Sequence, residues 1–232
     1  MVTDFVQGTQ AYVAYNVLEN EIIVSFRGST NIANWVSNLN YFQTPYKQVP
    51  GAQVHRGFFA AYNGVQGQVI NAVRALFKSY PSARILFTGH SLGGALASIA
   101  AVDLKEQLGL SSSIITFYTY GSPRVGNQAF SDYVFGLFPN GGYQRVTHYN
   151  DVVPHVPPTA FGFNHIGDET WYFNAGTDLS YRVCKNQAGK PESSACSNSI
   201  VPDGIAAHLV YVGHQINGLC TKRSADEFTF LE

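Results

Sequence analysis

Residues 84–88 (RILFT) and 92–108 (LGGALASIAAVDLKEQL) are two apolar segments with only Gly89-His90-Ser91 between them. The first is rich in β-branched and aromatic side chains, as strands are. In the second, Leu96, Ile99, Ala100, Asp103 and Leu104 recur at helical spacing before Gly109. So short a connection makes the backbone pass from sheet to helix within a residue or two. A strand that feeds directly into a helix of this length is half of a crossover between parallel strands.

The same alternation runs along the chain. Strands are expected at 21–26 (EIIVSF), 114–120 (IITFYTY) and 144–149 (QRVTHY). Residues 57–80 put Tyr62, Val65, Val69, Val73, Leu76 and Phe77 on one helical face, and Pro81 stops the run. Near-continuously apolar strands separated by helices predict an α/β fold, with a mostly parallel central sheet and helices on both faces. The length, 232 residues, predicts one domain spanning 1–232. The C-terminal ends of such strands share one edge, and ligands bind there.

Composition narrows the classes. Charged residues make up 12% of the chain, about half the usual share, while 45% is hydrophobic. That excludes intrinsic disorder. A net charge of −1, with no Lys/Arg cluster denser than Lys222-Arg223, disfavours a nucleic-acid partner. No apolar run is long enough to span a bilayer, so no transmembrane segment is expected. No Cys/His spacing fits a zinc site, so neither metal nor other cofactor is expected.

Gly89-His90-Ser91-Leu92-Gly93 is a G-x-S-x-G run placed at the strand-to-helix turn. There a serine is held in a strained backbone conformation with its hydroxyl standing clear of the sheet, and the glycines keep neighbouring side chains away. The following helix aims its amide groups and positive dipole end at the same point. Ser91 is therefore the candidate nucleophile, and its acid and base should follow it in chain order. Asp151 comes directly after an expected strand and before the proline-fixed run 152–158. Asp132, Asp168 and Asp178 lack a convincing preceding strand. For the base, His208 follows the Pro202-Asp203-Gly204 turn and is preferred on spacing to His155, His165 and His214. Leu92 offers one backbone donor for an oxyanion. The loop after EIIVSF, Arg27-Gly28-Ser29-Thr30, offers Ser29 as the second.

Residues 31–41 (NIANWVSNLNY) follow. Ile32, Trp35, Val36 and Leu39 fall at i, i+3, i+4 and i+7 of a short amphipathic helix with an uncharged polar face. Two roles are open to it: burial of the stripe in the core, or a flap beside the oxyanion loop that opens on an oil surface. Cys184 and Cys196 bracket the polar run KNQAGKPESSA, which is too hydrophilic to fold unaided. A bond between them would add roughly 3 kcal/mol. Three free thiols is the other reading.

Taken together, these motifs resemble the filamentous-fungal lipases of the lipase class 3 family, from about Tyr12 to Cys220. The residues that carry the resemblance are Phe26-Arg27-Gly28-Ser29, Val54-His55-Arg56-Gly57-Phe58, Thr88-Gly89-His90-Ser91-Leu92-Gly93-Gly94-Ala95, Gly121-Ser122-Pro123-Arg124-Val125-Gly126-Asn127, Asn150-Asp151-Val152-Val153-Pro154 and His208-Leu209-Val210-Tyr211. The resemblance implies an α/β-hydrolase-like fold with a short helical lid, a Ser91–Asp151–His208 triad, and an oxyanion hole from Ser29 and Leu92. It implies a lid containing Trp35, an acyl groove near Val153, Val156, Phe161 and Leu209, a Cys184–Cys196 disulfide, secretion, and a triacylglycerol substrate at an oil–water interface. Feruloyl esterases share the fold but usually carry threonine in place of Ser29 and a more polar flap. Esterases of phospholipid or galactolipid are further alternatives, and a non-catalytic lipid-binding protein on the same scaffold is a remote one. Family members usually have a longer N-terminal region, with a helix and a cysteine that pairs with the one matching Cys220. Its absence here predicts an unpaired Cys220 and an open surface prone to self-association.

Overall fold

The computed structural model describes residues 1–4, 8–175, 179–216 and the backbone of 228–230. Cys220 lies outside the described residues. In chain order the elements are β1 (Val2–Asp4), β2 (Thr9–Asn16), β3 (Glu21–Phe26), α1 (Ile32–Asn38), β4 (Gln43–Pro45), β5 (Gln53–His55), α2 (Arg56–Ser79), β6 (Arg84–His90) and α3 (Leu92–Leu108). These are followed by β7 (Ile115–Tyr120), β8 (Gly126–Asn127), α4 (Gln128–Leu137), β9 (Tyr143–His148), β10 (Phe163–Asn164), β11 (Asp168–Tyr172) and β12 (Tyr181–Cys184). The last are α5 (Ile205–His208), β13 (Val210–Tyr211), β14 (His214–Gln215) and β15 (Phe228–Phe230).

Among the described residues the main sheet has the order β1-β2-β3-β6-β7-β9-β11-β12, with β15 also pairing with β2. The run β3-β6-β7-β9-β11 is parallel throughout, and β2 and β12 flank it antiparallel. Register decides which residues form the core. Val13, Val24, Phe87, Phe117 and Tyr143 lie in one cross-strand row, and all five are buried. Helices α2 and α3 pack against the sheet and against each other, because chain-order crossovers of one hand put them side by side. The neighbouring row, Tyr12, Ser25, Thr88, Tyr118 and Gln144, points to the other face. There Tyr12 and Tyr118 are exposed.

The expected strands and helices are present with ends shifted by a residue or two. The largest shift is in β6, which runs on to His90 and so delivers Ser91 directly from the sheet. Strands β2, β11 and β12 lie beyond the sequence expectation. β12 is an edge strand with three of its four residues exposed, so it lacks an apolar signal. No helix among the described residues is long and apolar enough to cross a membrane.

Cys184 and Cys196 form a disulfide, closing the polar loop. With Trp171 they form a small separate core, flanked by Phe173 and Ile200. The loop has a second anchor. Glu192 takes two hydrogen bonds from the Arg124 guanidinium, from Nε and Nη2, both at 2.8 Å. Arg124 Nη1 donates to the carbonyls of His155 and Pro157, so the same residue fixes the segment after Asp151. Both partners of this pair are buried. Glu192→Ala should therefore cost about 3–5 kcal/mol, because it leaves a buried guanidinium without its counter-charge. Urea unfolding of the variant checks this, and an unchanged midpoint would refute it.

Candidate active site

Ser91 is the residue on which the two halves of the β6–α3 unit turn. Its φ of 59° and ψ of −131° are left-handed, strained values for a side chain with a Cβ. Close approaches hold it there. A side chain at Gly93 would collide with the Phe26 carbonyl, and one at Gly28 would come within 2.7 Å of the His90 carbonyl and 3.3 Å of Ser91 Cβ. The end of β3 therefore lies directly against Ser91 and brings the Ser29 loop alongside it. The Ser91 N–H donates to the Tyr120 carbonyl at 2.9 Å, tying the turn to β7. Leu92 opens α3, where first-turn amides have no intrahelical acceptor and the dipole is positive.

Beyond β9, Tyr149 (φ 41°) turns the chain so that Asp151 stands on the same sheet edge. The Asn150 carbonyl accepts from the Asp203 and Gly204 amides at 3.2 and 3.0 Å. This seats the Pro202-Asp203-Gly204 turn on the acid's own loop, so α5, which begins one residue later, delivers His208 to Asp151. His208 Nδ1 lies 2.8 Å from Asp151 Oδ2. A carboxylate only accepts, so the proton sits on Nδ1 and leaves the Nε2 lone pair free. Asp151 Oδ1 accepts from the Val153 N–H at 2.8 Å, and Oδ2 also accepts from the Tyr211 hydroxyl. Ser91, Asp151 and His208 are all buried. Among the described residues Ser91 Oγ and His208 Nε2 are two of the few buried side-chain polar atoms without a hydrogen-bond partner.

The residue before Ser91 joins the two parts. His90 Nε2 donates to the His208 carbonyl at 2.8 Å, and the two imidazoles lie 4.3 Å apart. Burial, followed by the neighbouring charge of His208, pushes the His90 pKa down to about 4. On the far side, Gly121 leaves room for the ring, since a Cβ there would come within 2.9 Å of His208. The His148 ring reaches the Ala207 carbonyl through Nδ1 at 2.9 Å and the Asn174 carbonyl through Nε2 at 3.1 Å. Sequence reasoning passed over His90, Gly121, His148 and Tyr211 as functional residues. His90, Gly121 and Tyr211 each stood inside a motif of the resemblance, whereas His148 had no local signal beyond its strand.

The remaining candidates are placed as follows. Ser29 is half-buried, and its hydroxyl reaches the Asn31 carbonyl at 3.4 Å. In α1, Ile32, Trp35 and Val36, with Leu39 as C-cap, are half-buried, and the helix contains no buried residue. Trp35 and Leu39 touch the core, so the stripe faces inward without being enclosed. A groove of about 930 Å³ runs past Ser29, Ile32, His90, Tyr120, Ile205 and Leu209. Val156 is half-buried, Val153 is fully buried, and Phe161 is exposed with its ring 4.8 Å from that of Tyr41. Three of the less favoured acids and bases have other partners. Asp168 pairs with Lys185 at 2.6 Å, Asp132 accepts from Gln128 and Gly189, and His165 Nε2 donates to the Pro154 carbonyl. His155 stays half-buried in the segment after Asp151, and His214 is exposed in β14. Asp178 lies outside the described residues. Among the described residues no group of three or more His, Cys, Asp or Glu side chains could hold a metal ion.

Residues 23–161, more than half of the chain, match the family model for lipase (class 3). The chain belongs to the lipase class 3 family. It is 44% identical over 217 residues to a lipase of Rhizomucor miehei, an alignment covering 92% of this chain and 57% of that protein. It is 38% identical to secreted mono- and diacylglycerol lipase 1 of Fusarium solani, covering 88% of this chain and 60% of that protein. The chain thus spans less than two thirds of either relative. Among solved structures, the Rhizomucor miehei lipase propeptide complex superimposes with a TM-score of 0.86 at 42% identity, over 94% of this chain and 68% of that one. A triacylglycerol lipase structure described as having a serine-protease triad at its catalytic centre gives 0.85 at 42% identity, over 92% of this chain and 79% of that one. The fold is therefore the α/β-hydrolase-like fold of the fungal lipases in this family.

Two outcomes follow from the site. Tyr211→Phe removes a donor from the buried Asp151 carboxylate, so kcat should fall about 10- to 100-fold with little change in KM; equal kinetics would refute it. Burial holds His55, His90, His155 and His165 below the ordinary value of 6.5. The unfolded chain therefore binds more protons than the folded one as pH drops below 6.5, and stability should decline from there down through pH 4, where His90 charges. Thermal unfolding across that span tests this, and a constant midpoint would contradict it.

Proposed function

We propose that the chain is the catalytic part of a secreted lipase that hydrolyses the carboxylic ester bonds of acylglycerols. The observation that carries this reading is Ser91, strained at the strand–helix junction with its hydroxyl unpaired, next in the chain to His90, whose ring lies 4.3 Å from that of His208, an imidazole already hydrogen-bonded to a carboxylate. In the first step His208 Nε2 takes the Ser91 proton as Oγ attacks the ester carbonyl carbon. Asp151 stabilises the resulting imidazolium, and Leu92 and Ser29 donate to the oxyanion. The imidazolium then protonates the leaving alcohol. Water, deprotonated by the same imidazole, attacks the acyl-enzyme and releases the fatty acid.

In this reading α1 is a flap. Its apolar stripe, Ile32, Trp35, Val36 and Leu39, is only half-buried, so little hydrophobic energy holds it down. An oil surface would take the stripe up as the flap moves away. Val153, Val156, Phe161 and Leu209 are assigned to the acyl side of the site. Triacylglycerol is the proposed substrate class, supported by the description of one solved neighbour as a triacylglycerol lipase and by a flap with no charged residue to meet an anionic surface. The disulfide fits an oxidising compartment, and the Fusarium relative is named as secreted.

Hydrolysis of a short-chain triacylglycerol, followed across its solubility limit, should show a rise in rate once droplets form. Ser91→Ala should remove the activity by a factor of about 10⁶. A smooth saturation curve through the limit would refute the flap, and activity surviving in the variant would refute the nucleophile.

A further inference from the structure

The imidazole of His55 takes no part in the chemistry at Ser91, yet it is 2% exposed and both of its nitrogens are engaged. It stands at the junction of β5 and α2. Nδ1 accepts the Phe58 N–H at 3.2 Å and so caps the first turn of α2. Nε2 lies 2.5 Å from the Asn40 carbonyl oxygen. A ring that accepts at one nitrogen and donates at the other is neutral, with its proton on Nε2. Burial favours that neutral form, and Arg56 is the adjacent charge pushing the same way.

Both contacts lead to the α1 flap. Asn40 lies two residues past the end of α1, where the flap rejoins the body of the protein. Next to it, the Phe42 carbonyl accepts the Arg56 N–H at 2.9 Å. Phe58, placed by the Nδ1 cap, stacks on the His55 ring at 3.8 Å and on Trp35 of the flap at 6.1 Å. The flap, with no buried residue of its own, thus rests on the Asn40 carbonyl and the Trp35 ring. These two supports, unlike the contact of Leu39 with the core, lead to one side chain.

We propose that His55 is the positioning residue that latches the α1 flap, holding its C-terminal hinge at Asn40 and seating Trp35 through Phe58. The proposal rests on the reading of α1 as a flap over Ser91. His55→Asn separates the two contacts, because asparagine is a good helix cap but too short to span to the hinge. The variant and the unaltered protein are treated with a soluble organophosphonate ester, first as monomers and then with detergent micelles, and the labelling rate of Ser91 is followed by mass spectrometry. With the latch lost, the monomeric rate should rise about two- to tenfold, the effect of one net hydrogen bond, while the micellar rate stays within a factor of about two. An unchanged ratio of the two rates, or equal loss of both, would overturn the latch while leaving the hydrolase reading standing. No labelling of either protein would overturn both. Should His55→Asn fail to fold, ¹⁵N spectra of the unaltered protein decide. The His55 ring should show the neutral Nε2–H form in solution and change when the labelled enzyme is placed on micelles. A ring unaffected by micelles would refute the latch.

Discussion

Ser91 sits in a backbone conformation that costs on the order of 1–3 kcal/mol, and most of the site follows from the way that strain is held. The turn cannot relax because β3 presses on it from one side and β7 bonds it from the other. Gly28 and Gly93 permit the contact with β3, where any side chain would drive the strands apart. That contact does two things at once. It restricts the backbone that carries the serine hydroxyl, and it brings the Ser29 loop alongside Ser91.

Asp151 and His208 reach this point by a different route. Asp151 arrives on the end of a parallel strand, and His208 arrives on one turn of helix with little core of its own. What holds that turn is polar. The Asn150 carbonyl seats the preceding loop, His148 reaches the Ala207 carbonyl, and His90 reaches the His208 carbonyl. Buried hydrogen bonds of this kind are directional, so they orient an imidazole more closely than apolar packing would. His208 is thereby bonded both to the Asp151 loop and to the residue before Ser91. The segments that carry Asp151, His208 and Ser91 close on each other through backbone carbonyls.

Helix α1 and the polar loop show two uses of marginal burial. Residues 184–196 lack the apolar content to fold alone, and a disulfide and a buried Arg124–Glu192 pair supply what is missing. The same arginine holds two carbonyls beyond Asp151, so a loop remote in sequence stiffens the acid's surroundings. The α1 stripe has apolar content but is not enclosed, which leaves it weakly held. One segment is fastened down despite its sequence, and the other is left loose despite its sequence.

Apolar periodicity and the G-x-S-x-G spacing, read from the sequence alone, were enough to predict the parallel sheet, the β6–α3 turn and Ser91 as a candidate, because each depends on neighbours within a few residues. The α2 and α3 helices were legible for the same reason. Strand β12 was not, since an exposed edge strand has no need of an apolar pattern. Among four late histidines, spacing could only favour His208, and the motif resemblance strengthened that choice. The bond from His208 to Asp151 spans 57 residues, and His90, His148 and Tyr211 meet around it from three separate strands. Glu192 likewise reads as one more charge in a hydrophilic loop until Arg124 is seen against it. Such roles belong to long-range contacts between buried polar groups, which follow no local period, so only the tertiary structure decides them.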